Sequence, residues 1–127
     1  MISSIDDPLG FVAPFHLSAK VLIQDLCRKL LGWDDKIAEE DLQRWGIWLK
    51  ELPKLEQFTI ERCFKPPNFG SVISCQLHHF SDASTIAYGA VSYLRLVNAE
   101  HEVHCSFVMG KSRLSPLRPI TIPRMEL

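Results

Sequence analysis

The sequence predicts an α+β protein, in which two N-terminal helices precede a small, mainly antiparallel sheet. Apolar residues recur at three- and four-residue spacing through the first half of the chain, which is typical of amphipathic helices. Strand-like runs bounded by turn residues fill the second half. The 127 residues, 46% of them hydrophobic and 23% charged, suit one compact domain or parts of two neighbouring domains.

The first helix is predicted from about Leu17 to a stop at Gly32. The sixteen residues before it contain Asp-Pro-Leu-Gly and Ala-Pro and are predicted to be irregular, with His16 in the loop or at the helix start. A second helix follows residues 34–35, with acidic residues near its positive N-terminal end and a stop at Pro53. Two such helices joined by a short loop are expected to pack as an antiparallel pair.

The second half of the chain predicts strands. A short strand is expected over residues 58–60 and 63–64, and the Pro- and Gly-rich stretch at 65–70 is the best candidate for a domain boundary. Three longer strands are expected at 72–82, 86–97 and 102–109, the last two joined by a turn at 98–101. In the third strand, alternation predicts one apolar face, formed by Val103, Cys105, Phe107 and Met109. Residues 111–123 are predicted to be a loop.

Composition limits the function classes. The formal net charge of −1 gives no overall basic field for nucleic acid. Four widely spaced cysteines without a Cys-x-x-Cys pair indicate reduced thiols in an intracellular protein. No apolar run approaches the roughly 20 residues that span a bilayer, and the N-terminus lacks the features of a signal peptide. The sequence therefore predicts an intracellular protein without a membrane partner or a targeting signal.

The segment around Asp82 carries the most chemical information. It places an acid at the end of an apolar strand, ahead of small residues and a glycine-containing strand. Hard cations such as Mg²⁺ prefer oxygen ligands, and two of them about 3.5–4 Å apart can stabilise the attacking and leaving oxygens of a phosphodiester. Taken alone, a strand-end aspartate is more often a turn or cap residue.

Other residues admit both a structural and a functional interpretation. Zinc binding by His78, His79 and the histidines near Cys105 is disfavoured, because adjacent strand residues point to opposite faces. The tryptophans at 33, 45 and 48 could stack bases, but the helical spacing of Trp45 and Trp48 favours core packing. The local basic stretch is either a set of solvated loop charges or a phosphate contact; it comprises Lys111, Arg113, Arg118 and Arg124.

Blocks spread in order along nearly the whole chain resemble BEL/Pao-type retrotransposon polyproteins. They include Asp-Pro-Leu-Gly…Ala-Pro at 7–14, Leu-Leu-Gly-Trp-Asp at 30–34, Phe-Ser-Asp-Ala-Ser…Tyr-Gly-Ala-Val at 80–91, Lys-Ser-Arg-Leu-Ser-Pro-Leu at 111–117 and Thr-Ile-Pro-Arg-Met-Glu-Leu at 121–127. The resemblance implies that residues 1–65 are a helical connection region behind a reverse transcriptase domain. It also implies that residues 71–127 are the N-terminal part of a truncated ribonuclease H-like domain.

By the same resemblance, Asp82 matches the first metal-binding aspartate and Glu126 the metal-binding glutamate that opens the first helix. The intact parent would use Mg²⁺ or Mn²⁺ to hydrolyse RNA in RNA–DNA hybrids, with the hybrid and the reverse transcriptase domain as partners. Lys111, Arg113 and Arg124 are candidate nucleic-acid contacts. The family's further aspartates and its fourth and fifth strands are missing from this sequence. An inactive, incomplete ribonuclease H-like fold that binds no metal tightly is therefore expected.

Two alternatives remain open. The chain could be a co-opted, non-enzymatic module that binds protein or nucleic acid. It could also be an aspartic peptidase, although such enzymes need two aspartates that share a proton, usually within Asp-Thr/Ser-Gly. Asp82 is followed by Ala83 and Ser84, and no second copy of the motif occurs, so the peptidase is disfavoured. The oligomeric state is not predicted.

Overall fold

The computed structural model describes residues 6–32, 34–118 and 121–125. The described part contains helices, then a three-stranded antiparallel sheet of order β1-β2-β3, and a final short helix. This arrangement confirms the predicted α+β class and agrees with a partial ribonuclease H-like fold. The elements are α1 (Ala13–Arg28), α2 (Glu39–Glu51), a 3₁₀ helix (Leu52–Gln57), β1 (Val72–Ala83), β2 (Ala87–Asn98), β3 (Val103–Leu114) and α3 (Ile122–Met125).

Helix α1 starts at Ala13 rather than near Leu17, so the prediction of an irregular segment up to residue 16 was wrong in its last part. Pro14 lies in the first turn, where its missing N–H has no intrahelical acceptor to lose. His16 consequently belongs to the first turn of the helix and is only 6% exposed. The Ala-Pro pair marks the start of a helix instead of a loop.

Helices α1 and α2 pack side by side and antiparallel, as expected. At one end, the indole Nε1 of Trp48 donates a hydrogen bond of 3.1 Å to the carbonyl of Phe15 near the start of α1. At the other end, Arg44 of α2 lies 3.3 Å from the carboxylate of Asp25 near the end of α1. Asp41, which is almost fully buried, is neutralised there by Lys29 and Arg44.

The first two long strands agree closely with their predicted limits, whereas two other predictions fail. Residues 58–64 form no strand; the carbonyl of Phe64 accepts a hydrogen bond of 2.6 Å from the hydroxyl of Ser106 instead of entering a strand ladder. Strand β3 continues to Leu114, so the predicted loop at 111–123 begins inside the sheet. The continuation is possible because β2 offers ladder partners up to Ala87.

A bulge in β3 overturns the prediction that one side of this strand is uniformly apolar. Phe107 pairs with Tyr93, but Met109 pairs with Ser92, so Val108 is an extra residue. Adjacent residues of β2 face opposite sides, and their partners follow them. Phe107 and Met109 therefore point to opposite faces of the sheet.

The N-terminal segment packs against the sheet face that carries Phe80, Tyr93 and Phe107, which we call the inner face. The ring of Phe11 lies 4.6 Å from that of Phe107, and the carbonyl of Leu9 accepts a 2.8 Å hydrogen bond from the amide of Gly110. Phe107 also contacts Tyr93, and Tyr93 contacts Phe80, so a row of aromatic rings crosses the inner face. The other side, the outer face, carries Leu77, Leu94 and Ser106.

Among the described helices, none has both the length and the apolar character needed to cross a membrane.

Candidate metal-binding site

Asp82 lies at the C-terminal end of β1 and points to the inner face. Its partner across the ladder is Gly89 of β2, which has no side chain to crowd the carboxylate. The Asp82 side chain is exposed, and its Oδ1 accepts a 2.9 Å hydrogen bond from the amide of Ala83. The strand therefore presents a largely solvated carboxylate at its end.

The turn that follows Asp82 is fixed by two serines. The amide and the hydroxyl of Ser84 both donate to the carbonyl of Ala87, at 2.8 and 2.9 Å. The hydroxyl of Ser115, beyond the end of β3, donates to the carbonyl of Ser84 at 3.0 Å, and its amide donates to Ile86 at 2.9 Å. Gln24 of α1 donates to the carbonyl of Ser115 at 2.7 Å. These bonds tie the end of β1 to both β3 and α1.

An open cavity of about 570 Å³ lies between the N-terminal segment and the inner face, and Asp82 is at its border. Its walls are largely apolar and include Phe11, Leu17, Phe80 and Tyr93. Asp82 is the one acidic residue among the described residues that line it. A ligand in this cavity would meet largely apolar walls, the carboxylate of Asp82 and atoms of Lys111, which also lines it.

The described residues alone do not form a metal centre. In 6–32, 34–118 and 121–125 there is no group of three or more His, Cys, Asp or Glu residues that could hold an ion. Mg²⁺ in proteins is often bound by one or two carboxylates together with water and substrate phosphates, so the exposed Asp82 suits one ligand of a larger set. Glu126 lies outside the described residues, but the short helix α3, which ends just before it, contacts β1.

Two of the predicted nucleic-acid contacts, Lys111 and Arg113, lie at the same end of the sheet as Asp82 but on strand positions of the other face. Gly89, the partner of Asp82, pairs with Ser112, whereas Lys111 pairs with Ala90 and Arg113 with Tyr88. Because side chains alternate along a strand, Lys111 and Arg113 point to the outer face. Both are exposed, as is Arg124 in α3. The sheet thus does not bring these cations into contact with Asp82.

The histidines of the zinc interpretation are dispersed. The Nδ1 atom of His79 lies 2.8 Å from the hydroxyl of Ser92 on the outer face, whereas His78 pairs with Tyr93 on the inner face. His101 occupies the turn between β2 and β3, and His104 packs against Phe69. The four cysteines all lie in the described part and are free thiols.

Two of the tryptophans, Trp45 and Trp48, pack where helices α1 and α2 meet. Trp48 is 6% exposed and stacks on both Phe15 and Trp45, at ring distances of 5.1 and 5.0 Å. This arrangement confirms core packing for Trp48. Trp33 lies outside the described residues.

A family model described as "Pao retrotransposon-like RNaseH-like domain" matches residues 1–127. The chain belongs to this family. No curated protein and no solved structure gives a significant match. Membership of the Pao family confirms the resemblance to BEL/Pao polyproteins, and it agrees with a sheet that begins with an aspartate-bearing strand. The match runs through helices and sheet alike, so the boundary between 1–65 and 71–127 stays a prediction.

The sequence analysis did not predict the hydrogen bonds of Ser84 and Ser115 that hold the turn after Asp82. Ser84 and Ser115 both lie in blocks that carry the resemblance, at 80–91 and 111–117, and that position was the available signal. Gln24 gave no signal, because its bond to Ser115 joins residues 91 positions apart.

Proposed function

We propose that the chain is a segment of a Pao-type retrotransposon polyprotein that spans the connection region, 1–65, and the opening part of ribonuclease H, 71–127. The parent would hydrolyse RNA in RNA–DNA hybrids with the help of Mg²⁺ or Mn²⁺. The observation that carries this proposal is the exposed carboxylate of Asp82, at the end of the first strand of a Pao-family sheet and at the border of a cavity.

The role assigned to Asp82 follows from its surroundings. A carboxylate that keeps its solvent exposure can coordinate a cation without leaving a buried charge unpaired when the cation is absent. Gly89, its partner across the ladder, places no side chain beside the carboxylate. Glu126 is the proposed second ligand. Divalent ions held there would supply charge stabilisation to the attacking and leaving oxygens of the phosphodiester.

The same surroundings argue against activity of the 127 residues by themselves. One carboxylate borders the cavity in the described part, whereas a two-ion site needs several carboxylates from different elements. We therefore assign the remaining ligands to other segments of the polyprotein and expect no tight metal binding here. An aspartic peptidase is disfavoured on the same ground, because its chemistry needs two aspartates in contact.

The test is a cleavage assay on a labelled RNA–DNA hybrid with Mg²⁺ or Mn²⁺. The 127-residue chain is expected to leave the hybrid intact, whereas a longer polyprotein segment that includes it is expected to cleave. In the longer segment, Asp82→Asn should lower the rate at least about 100-fold, since a metal ligand contributes several kcal/mol. Asp6→Asn, a change at another exposed aspartate, is the matched control and should leave the rate unchanged.

Two results would contradict the proposal. Robust metal-dependent cleavage by the 127 residues alone would show that the site is complete. Undiminished cleavage by Asp82→Asn in the longer segment would remove Asp82 from the ligand set.

A co-opted binding module is the second candidate, and the exposed cations Lys111 and Arg113 on the outer face favour it. It predicts binding of the hybrid by the 127-residue chain without cleavage, with an affinity that falls steeply as salt rises. Lys111→Ala combined with Arg113→Ala should then weaken binding and flatten the salt dependence. An affinity unchanged in that variant would contradict this candidate.

A further inference from the structure

The turn that follows Asp82 is attached to helix α1 by the side chain of Gln24. The amide of this side chain donates a 2.7 Å hydrogen bond to the carbonyl of Ser115, which lies just beyond the end of β3. Ser115 is only 5% exposed, so water has little access to take the place of this donor. Because α1 lies within residues 1–65, the bond joins the proposed connection region to the proposed ribonuclease H part.

Ser115 in turn holds the backbone of the turn at two points. Its hydroxyl donates to the carbonyl of Ser84 at 3.0 Å, and its amide donates to the carbonyl of Ile86 at 2.9 Å. The hydroxyl of Ser84 accepts from the amides of Ile86 and Ala87, both at 3.2 Å. The turn between β1 and β2 is therefore held by a chain of hydrogen bonds that begins at Gln24.

The direction of the Asp82 carboxylate depends on the backbone of this turn. Asp82 lies two residues before Ser84, and among the described residues its carboxylate accepts one hydrogen bond, from the adjacent amide of Ala83 at 2.9 Å. A metal ligand supported in this way owes its orientation to the backbone that carries it. Misplacement of a ligand lowers metal affinity, so whatever holds the turn also affects the metal site.

The chemistry of Gln24 suits a support near a cation site. Its amide donates a hydrogen bond without carrying a charge, whereas a lysine or arginine in its place would repel a divalent ion. The neighbouring carboxylate on α1, that of Asp25, is paired with Arg28 and Arg44, at 3.1 and 3.3 Å. At Gln24, helix α1 therefore supplies the turn with a hydrogen bond rather than a charge.

We propose that Gln24 is a positioning residue for Asp82, which it supports through Ser115 and Ser84. This role rests on the proposed function of Asp82 as a metal ligand, and it makes helix α1 part of what sets the geometry of the metal site. Residues that orient metal ligands typically contribute roughly 10–100-fold to metal affinity or activity. Because Gln24 acts through two intervening residues, we expect a change of about 10-fold, at the lower end of this range.

The Mg²⁺ dependence of hybrid cleavage by the longer polyprotein segment tests the proposal. Gln24→Met keeps the length of the side chain but removes the donor. It should raise the Mg²⁺ concentration for half-maximal cleavage about 10-fold, while the KM for the RNA–DNA hybrid keeps its wild-type value. Gln43→Met is the matched control, since Gln43 is exposed on α2, and it should behave like the wild type. An unchanged Mg²⁺ requirement in Gln24→Met, or an equal rise in Gln43→Met, would overturn the proposal.

A double-mutant cycle determines whether Gln24 and Ser115 act on the same turn. Ser115→Ala removes the hydroxyl that donates to Ser84 but keeps the carbonyl that accepts from Gln24. Residues that act through one network are not additive, so the double variant should raise the Mg²⁺ requirement by less than the product of the two single changes. A rise equal to that product would mean that the two residues act separately and would overturn the proposal.

Hydrogen exchange of the same segment measures the physical link directly. In Gln24→Met the amides of Ser84 and Ser115 should exchange faster than in the wild type, whereas that of Leu94, in the middle of β2, should keep its rate. Unchanged rates at the turn, or faster exchange along the whole of β2, would overturn the proposal. Undiminished cleavage by Asp82→Asn would overturn both this role and the proposed function. A loss of cleavage in Asp82→Asn, together with a wild-type Mg²⁺ requirement in Gln24→Met, would overturn this role alone.

Discussion

The two edge strands of the sheet, β1 and β3, differ in what lies against their free edges. On β3, the amide of Gly110 is bonded to Leu9, and the side chain of Ser106 is bonded to the carbonyl of Phe64. Phe11 adds a ring contact with Phe107 beside this edge. On β1, residues 72–82 have no backbone partner other than β2 among the described residues. One edge is thus covered by the N-terminal segment, whereas the other makes no further backbone hydrogen bond within the described part of the chain.

The difference assigns a structural role to the Asp-Pro-Leu-Gly-Phe motif at 7–11. The carboxylate of Asp7 accepts hydrogen bonds from the amides of Phe11 and Val12, at 2.9 and 3.0 Å, and so closes the turn ahead of α1. Gly10 has a φ of +79° and comes so close to Gly110 that any side chain would collide with its carbonyl. The motif attaches the N-terminal segment to β3. In the described residues the short helix α3 contacts β1, but no backbone hydrogen bond attaches a segment to the outer edge of β1.

The largest expected effect comes from filling the contact between Gly10 and Gly110. In Gly10→Ala the new Cβ would lie 1.9 Å from the Gly110 carbonyl oxygen, in a backbone conformation that alanine also disfavours. We expect a loss of about 3–4 kcal/mol in the free energy of unfolding, as strain and overpacking combine. Urea denaturation measures it.

Substitutions at two other glycines separate backbone strain from overpacking as causes of the loss in stability. Gly70 has nearly the same φ, +78°, but open space around it, so Gly70→Ala should lose only about 1 kcal/mol. Gly46 lies in α2 with open space, so Gly46→Ala should gain about 0.5–1 kcal/mol from helix propensity. A loss for Gly10→Ala no greater than that for Gly70→Ala would show that the close contact with β3 does not exist.

The sequence predicted those parts of the fold that depend on local pattern. Apolar periodicity predicted both helices, the short loop between them predicted their antiparallel packing, and strand-like runs bounded by turn residues predicted the three long strands. The start of α1 was misplaced because Pro14 suits both a loop and a first helical turn. The bulge at Val108 was missed because an extra residue in one strand becomes visible only against its partner strand.

The candidate site, too, was predicted only where it depends on local sequence pattern. The position of Asp82 at the end of a strand was predictable from the apolar run before it, whereas its role as a metal ligand stays a prediction. The bonds that hold the turn after it were not predictable, because Gln24, Ser84 and Ser115 come from distant segments that only the tertiary structure brings together. The contact of Gly10 with Gly110 was missed for the same reason. No residue spacing encodes such contacts.

Phenylalanines near the two edges provide a prediction of intermediate size. Phe11 packs on Phe107 beside the covered edge, whereas Phe80 is 57% exposed beside the edge of β1. Phe11→Ala should therefore lower the free energy of unfolding by about 2 kcal/mol, and Phe80→Ala by about 0.5 kcal/mol. Thermal unfolding of the two variants at low concentration makes the comparison. Equal losses would mean that the N-terminal segment does not protect the β3 side of the sheet.

The smallest expected effect concerns the turn that attaches the N-terminal segment. Asp7→Ala removes the acceptor for the amides of Phe11 and Val12 and should lower the free energy of unfolding by about 1 kcal/mol. Asp6→Ala is the matched control, because Asp6 is an exposed neighbour whose side chain takes no part in this turn, and it should change stability by less than about 0.5 kcal/mol. Denaturant unfolding gives both values.

Hydrogen exchange adds a local measurement to the Asp7→Ala comparison. The loosened turn should expose the amide of Gly110 in β3, while the amides of β1 keep their wild-type rates. If only the β1 amides exchanged faster, Asp7 would affect the opposite edge of the sheet. This result would contradict its role in covering β3.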